Sequence, residues 1–348
     1  RSLLFLQGDQ QRVLGPDGFT VEKEVKFPKR YRFNAERKDV WIGLASGPRS
    51  LDVIDKKTLR IRKSVDLPFH ELTDFAMHPR LRLSFVAVRH ALRAPRYKIV
   101  IVNETLGTLS EPNSFLGKWV RIDPTGDWLY AGVEELYRSG TRFHINPGFR
   151  IITSPKYGSI ELLLKYRLRG AEPKLEGMVQ ESGGNGSRIE LSPDGKRVTY
   201  LSHVGFPRHS GGVPAWNADN LEEKPVRYPC KELGASATTA TYHHLLKLIA
   251  VPTKNSAVLF DRETGKHLPG KLLLTSRGVG DVAVQDVRFS PDGRNLILLT
   301  HAPLQGKFLQ AVPLRLTDQE RQTVGGGFQP PSPPKPQPRP SVPGGVDL

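Results

Sequence analysis

Three histidines, a serine and a cysteine are the side chains of this sequence best suited to chemistry, and their spacing limits what that chemistry could be. His203 and His209 stand six residues apart, and His144 lies in an earlier segment, 141–148. Three imidazoles could hold zinc, which needs three or four ligands converging at about 2 Å. The chain has no compact His/Cys cluster with zinc-site spacing, so loop histidines bonded to backbone or water are the simpler reading, and no metal is expected. Ser210 is next to His209, and Asp219 follows. No Gly-x-Ser-x-Gly elbow accompanies them, and adjacency in sequence is not triad geometry. Cys230 is the one cysteine. No Cys-His motif surrounds it, so it reads as an incidental thiol. It leaves the chain without an internal disulfide, as suits a reducing compartment such as a bacterial cytoplasm. Gly183-Gly184-Asn185-Gly186-Ser187 has the glycines of a phosphate cradle. It lacks the Lys-Ser/Thr pair and precedes a strand rather than a helix. No catalytic residue and no cofactor is assigned.

Recognition fits the same segments better. Arginine and aromatic residues are enriched at binding hot spots. Arg142, Phe143, His144, Phe206, Arg208, His209 and Trp216 are therefore the candidate contacts to a protein or peptide. The competing reading is that these aromatics only pack their loops onto the scaffold. A second candidate is electrostatic. The 51 Lys and Arg outnumber the 35 Asp and Glu, for a formal net charge of +16. Arg89, Arg93, Arg96 and Lys98 form the densest basic loop, a candidate surface for anionic polymers. The bland alternative is a solvated face, and no nucleic-acid-binding motif accompanies the charge.

These residues sit between repeated hairpins. Leu191-Ser192-Pro193-Asp194-Gly195-Lys196-Arg197-Val198 recurs as Phe289-Ser290-Pro291-Asp292-Gly293-Arg294-Asn295-Leu296. Each is a strand, a tight turn and an apolar strand. Pro supplies the φ of the first turn position and Gly the positive φ that closes it. Asp123-Pro124-Thr125-Gly126 keeps the turn, and His78-Pro79 keeps the Pro without the Gly. His243-His244 and the Glu36 region fit by outline. Glu36, Pro79, Pro124, Pro193, His244 and Pro291 are successively 43, 45, 69, 51 and 47 residues apart. A four-stranded propeller blade takes about 40–50 residues, so the 69-residue gap implies a blade plus an insertion. Runs such as Leu51-Asp52-Val53-Ile54-Asp55 and Ser256-Ala257-Val258-Leu259-Phe260-Asp261, each followed by a polar turn and a second β-rich run, supply third and fourth strands.

On these residues the chain resembles bacterial TolB-like and WD-repeat-like propellers, and Val53-Ile54-Asp55-Lys56-Lys57-Thr58 is similar to the hairpin of YVTN-type propellers. The resemblance covers residues 31–317 and extends to propeller segments of multidomain planctomycete proteins. It implies an all-β propeller of four-stranded antiparallel blades, seven by expectation with six as the alternative. Residues 1–27 read as a blade lacking its first strand, and residues 284–317 as a hairpin and one further strand. Strands from both termini are therefore expected to close the ring. The propeller is placed at residues 1–320 with an insertion at about 134–184. Residues 325–348, with eight prolines from Pro330 to Pro343, read as a disordered linker.

No apolar run approaches the roughly 20 residues that span a bilayer, and no leader peptide is visible. The expected function is a monomeric, non-catalytic scaffold binding a protein or peptide through its long-loop rim. The alternatives are a propeller hydrolase or lyase with its site at the channel mouth near His144, His203 and His209, and a basic-surface binder of anionic polymers.

Overall fold

Apolar runs of β-branched and aromatic residues separated by Gly, Pro and Asp turns form 28 strands among the described residues of the computed structural model. The structure describes residues 3–7, 10–17, 20–25, 27, 29, 31–36, 39–46, 49–90, 96–112, 115–137, 142–146, 149–152, 158–169, 173–182, 188–201, 212–229, 240–253, 256–273, 283–302 and 306–325.

The strands group, in chain order, into seven antiparallel sheets and one separate hairpin. The first sheet holds β1 (Leu3–Gln7), β2 (Gln10–Leu14) and β3 (Val21–Val25). The second holds β4 (Tyr31–Glu36), β5 (Val40–Ser46), β6 (Arg49–Asp55) and β7 (Ile61–Asp66). The third holds β8 (Glu71–Met77), β9 (Leu83–Arg89), β10 (Tyr97–Asn103) and β11 (Thr108–Ser110). The fourth runs from β12 (Trp119–Ile122) and β13 (Trp128–Tyr137) to β16 (Gly158–Arg167) and β17 (Lys174–Ser182). The hairpin β14 (Arg142–Asn146) and β15 (Phe149–Ile152) is set between its middle strands. The fifth holds β18 (Arg188–Leu191), β19 (Arg197–Leu201), β20 (Val213–Asn217) and β21 (Val226–Tyr228). The sixth holds β22 (Thr241–Tyr242), β23 (Leu248–Pro252), β24 (Ser256–Asp261) and β25 (His267–Leu273). The seventh holds β26 (Ala283–Phe289), β27 (Asn295–Ala302) and β28 (Gly306–Pro313). Every sheet is a simple ladder in chain order, broken only by the β14–β15 hairpin in the fourth, and the architecture is that of a β-propeller.

The core lies between sheets. Val86, Val88 and Val100 pack against Ile42, Leu44 and Leu51 across the second and third sheets. Phe85, Phe115 and Tyr166 do the same across the third and fourth, in edge-to-face contact. Middle strands are covered on both faces, so β23 and β24 are buried at every position. That is why these strands read as uninterrupted apolar runs rather than as alternation.

The turns lock neighbouring sheets together. Gly126, Gly195 and Gly293 all have φ between 72° and 79°. A Cβ on Gly126 would stand 2.5 Å from His78 Cε1, one on Gly195 2.9 Å from Pro124 Cδ, and one on Gly293 2.8 Å from His243 Cε1. The repeated glycine is thus required twice, by its own backbone and by the turn of the preceding sheet. His78 and His243 start the turns that lack a Pro-Asp-Gly. The Nδ1 of each accepts two amide hydrogens, from Arg80 and Leu81 and from Leu245 and Leu246. Between third and fourth strands, Asp55, Asn103 and Asp261 cap their turns in the same way. Four residues on, Leu59, Gly107 and Gly265 share a left-handed φ.

Two features depart from the sequence reading. The 134–184 region is mostly blade, because β13, β16 and β17 are nine or ten residues long; the extra chain is 138–157. Residues 318–324 form a helix, α1 (Asp318–Val324), opened by a Thr317–Glu320 capping box. Val324 is fully buried, and its carbonyl accepts from the Lys247 amide at 2.9 Å, so the folded unit reaches residue 325 rather than 320. In the described pairings the three strands of the first sheet and the three of the last stay separate. The two sheets meet through the Asp292 amide on the Pro16 carbonyl (3.0 Å) and Asn295 Nδ2 on the Asp17 carbonyl (3.1 Å). The segment 326–348 lies outside the described residues.

Candidate functional site

The ladder topology sorts every connection to one of two ends. Links between first and second strands, and between third and fourth, emerge at one end. Links between second and third strands, and from sheet to sheet, emerge at the other. The first set includes 78–82, 123–127, 192–196, 243–247 and 290–294, with 104–107 and 262–266, and its longest member is 218–225. The second set includes 90–96, 138–157, 202–212, 229–240 and 274–282. Every connection longer than eight residues therefore lies at one end, and the opposite end is built mostly of hydrogen-bonded turns.

The candidate contacts mostly belong to the long-connection end. Arg142, Phe143 and His144 lie on β14, which pairs with β15 in the link from β13 to β16; their side chains lie outside the described residues. Phe206, Arg208 and His209, with His203, fall in the link from β19 to β20 and also lie outside them. Trp216 is a correction. It is 2% exposed on β20, packed among Tyr130, Leu163, Val198 and Tyr200 between the fourth and fifth sheets. An indole in that position holds two sheets together and does not reach a partner.

The basic candidates Arg89, Arg96 and Lys98 meet at the same end of the third sheet. Arg89 is directly paired with Tyr97 across β9 and β10. Its Nη1 lies 3.6 Å from Glu71 Oε2, and the Arg96 guanidinium lies 5.8 Å from the Tyr97 ring centre. Lys98 pairs with Val88. Lys118 joins them, its Nζ 5.3 Å from Tyr97 and 4.3 Å from Trp119. Arg93, like Cys230 and 183–187, lies outside the described residues.

A second constellation was not foreseen. The first strands of successive sheets lie side by side, and they carry an ion-pair network. Arg121 Nη1 donates to Asp74 Oδ2 at 2.8 Å, and its Nη2 is 3.7 Å from Glu190 Oε1. Arg288 Nη1 donates to Glu190 at 2.9 Å. Arg188 lies 3.3 Å from both Glu190 and Asp286. The side chains are 13–29% exposed. Burial opposes ionisation of Glu190, but Arg288, Arg121 and Arg188 outweigh it and hold its carboxyl at about 2. Burial likewise works against Arg288, and Glu190 and Asp286 outweigh it, holding its guanidinium above the ordinary value. Each carboxylate of the network is engaged by a guanidinium, and guanidiniums do not exchange protons near neutrality. The network suits cross-linking of strands rather than acid–base catalysis. Its sequence signal was available. Asp74, Arg188 and Asp286 stand five residues before the turn prolines Pro79, Pro193 and Pro291, and Arg121, Glu190 and Arg288 three before Pro124, Pro193 and Pro291. In a strand, those two positions share a face.

Among the described residues no group of three His, Cys, Asp or Glu side chains is arranged to hold a metal ion, and no helix is long and apolar enough to cross a membrane.

No protein-family model matches the chain, and no curated protein matches its sequence. Among solved structures it is similar to one described as the Dos1 propeller. The TM-score is 0.55 at 11% identity, over 87% of this chain and 72% of that one. At that identity the likeness concerns the fold alone.

Proposed function

We propose that this β-propeller is a non-catalytic scaffold that binds a protein or peptide on its long-connection end. The observation that carries the reading is the asymmetry of the two ends. A rigid stack of sheets supports every link longer than eight residues on one side, and binding residues favour such loops because the scaffold's core does not depend on them. The candidate contacts Arg142, Phe143, His144, Phe206, Arg208 and His209 all belong to links at that end. The paired charges of the inner strands favour a binding role over a catalytic one.

The test is affinity capture from the native organism's lysate with the full chain, at low and high salt, with cross-links to the partner mapped. A partner retained at high salt, cross-linked to the long-connection end and lost in the R142A/F143A/F206A/R208A variant supports the reading. Capture that the variant leaves intact, or that vanishes with salt alone, overturns it.

A further inference from the structure

The large apolar side chains most exposed among the described residues are not on the long-connection end. Leu106 is 67% exposed, Leu81 52%, Leu245 48% and Val21 42%. Leu81 and Leu245 are in turns between first and second strands, and Leu106 is in a turn between third and fourth. Val21 opens β3 at the turn whose Pro16 and Asp17 bond to the Asp292 turn. All four therefore stand at the turn end, spread over three sheets.

Two of the leucines sit inside a basic cluster. The Glu104 amide donates to the Arg82 carbonyl at 2.9 Å, which joins the turns of Leu81 and Leu106. A Cβ on Gly107 would lie 2.5 Å from Lys63 Cε, so the Leu106 turn rests against β7 of the second sheet. Asp39, in the first turn of that sheet, is 2.8 Å from Arg62 and also feels the charge of Arg82. Lys57 and Arg60 in the turn before β7, Lys63 on β7 and Arg82 beside Leu81 are exposed at this same end.

We propose that this end of the propeller docks on an anionic lipid bilayer, with Leu81 and Leu106 entering the interface and Lys57, Arg60, Lys63 and Arg82 meeting the headgroups. Apolar tips ringed by cations match both layers of such a surface: the acyl boundary takes the aliphatic groups and the negative headgroups take the charge. A soluble polyanion would engage only the cations and leave the leucines in water. The spread of apolar tips over one end also suits a flat partner better than a groove-bound peptide. The net charge of +16 adds long-range attraction. Docked this way, the long connections face away from the bilayer.

The experiment is co-sedimentation of the full chain with phosphatidylcholine vesicles, with and without phosphatidylserine, alongside heparin binding. The chain is expected to sediment only with the anionic vesicles. The K57E/R60E/K63E/R82E and L81S/L106S variants are each expected to lose about tenfold or more in partitioning. R32E/R49E, at exposed positions near the starts of β4 and β6 at the other end, should bind as the parent does, and circular dichroism checks the fold of each variant. Failure to bind anionic vesicles overturns the proposal. So does L81S/L106S binding like the parent, which would leave a polyanion surface only, and so does an equal loss in R32E/R49E.

Discussion

Arg288 and Glu190, 98 residues apart, meet at 2.9 Å although they belong to the seventh and fifth sheets and the sixth lies between them in the chain. The first strand of the sixth sheet, β22, holds Thr241 and Tyr242, both buried. Arg121 extends the same network to Asp74 on the third sheet, so Glu190 couples four first strands.

Glu190→Gln keeps the side chain's size and leaves three guanidiniums without their shared carboxylate. Removing one partner of a buried ion pair costs about 3–5 kcal/mol. Urea denaturation should show a loss of that order, with the fold retained below the transition.

Acid should weaken the protein in two windows. The His243 imidazole is held at about 4, below its ordinary 6.5, first by burial. Its Nδ1 accepts two amides and its Nε2 meets the Gly293 carbonyl at 2.9 Å, so the neutral form is the native one. Its contribution is full above about pH 6.5 and is lost as pH falls through about 4, a total of about 3 kcal/mol. Glu190 adds a second loss, from its ordinary 4.5 down through about 2. His243→Asn should abolish the first window and keep the turn, since the Asn103 side chain caps its own turn through two amides. Melting temperature between pH 8 and about pH 1.5 reads both windows.

Gly293→Ala should cost about 2 kcal/mol, because the new Cβ needs a left-handed backbone and a shift of His243. Gly177→Ala is the comparison, with no positive φ and no contact nearer than 3.4 Å. Its thermal transition should stay close to that of the parent.

Val324→Asp should destabilise by about 3 kcal/mol, since it places an unpaired carboxylate in the apolar cluster with Leu248, Leu268 and Leu298. Ending the chain at residue 317 should lower the melting temperature as well. Ending it at 325 should leave the temperature unchanged, because the Pro-rich segment beyond has too few apolar residues to bury.

The repeated hairpins and the seven sheets were legible because each rests on local chemistry. Pro193-Asp194-Gly195 can form one kind of turn, and a run such as Leu248-Ile249-Ala250-Val251 has one way to hide its side chains. The capping box Thr317-x-x-Glu320 was equally local, a helix start written beyond the last strand. Trp216 was misplaced because an aromatic beside a long link has the same composition whether it packs inward or outward. The strand's phase relative to the neighbouring sheet decides which, and here it turned the ring into the core.

By itself, then, the sequence determined the repeat unit, the turn chemistry, the apolar strands and the excess of positive charge, all properties of a few adjacent residues. Only the tertiary structure decided which sheets touch. It brought Asp74, Arg121, Glu190 and Arg288 together from four sheets, set the His243 ring under Gly293, and gathered Leu81, Leu106, Lys63 and Arg82 at one end. Those relations depend on how twisted sheets stack around a common axis. Charge attraction and packing act there between residues that the chain separates by tens to hundreds of positions.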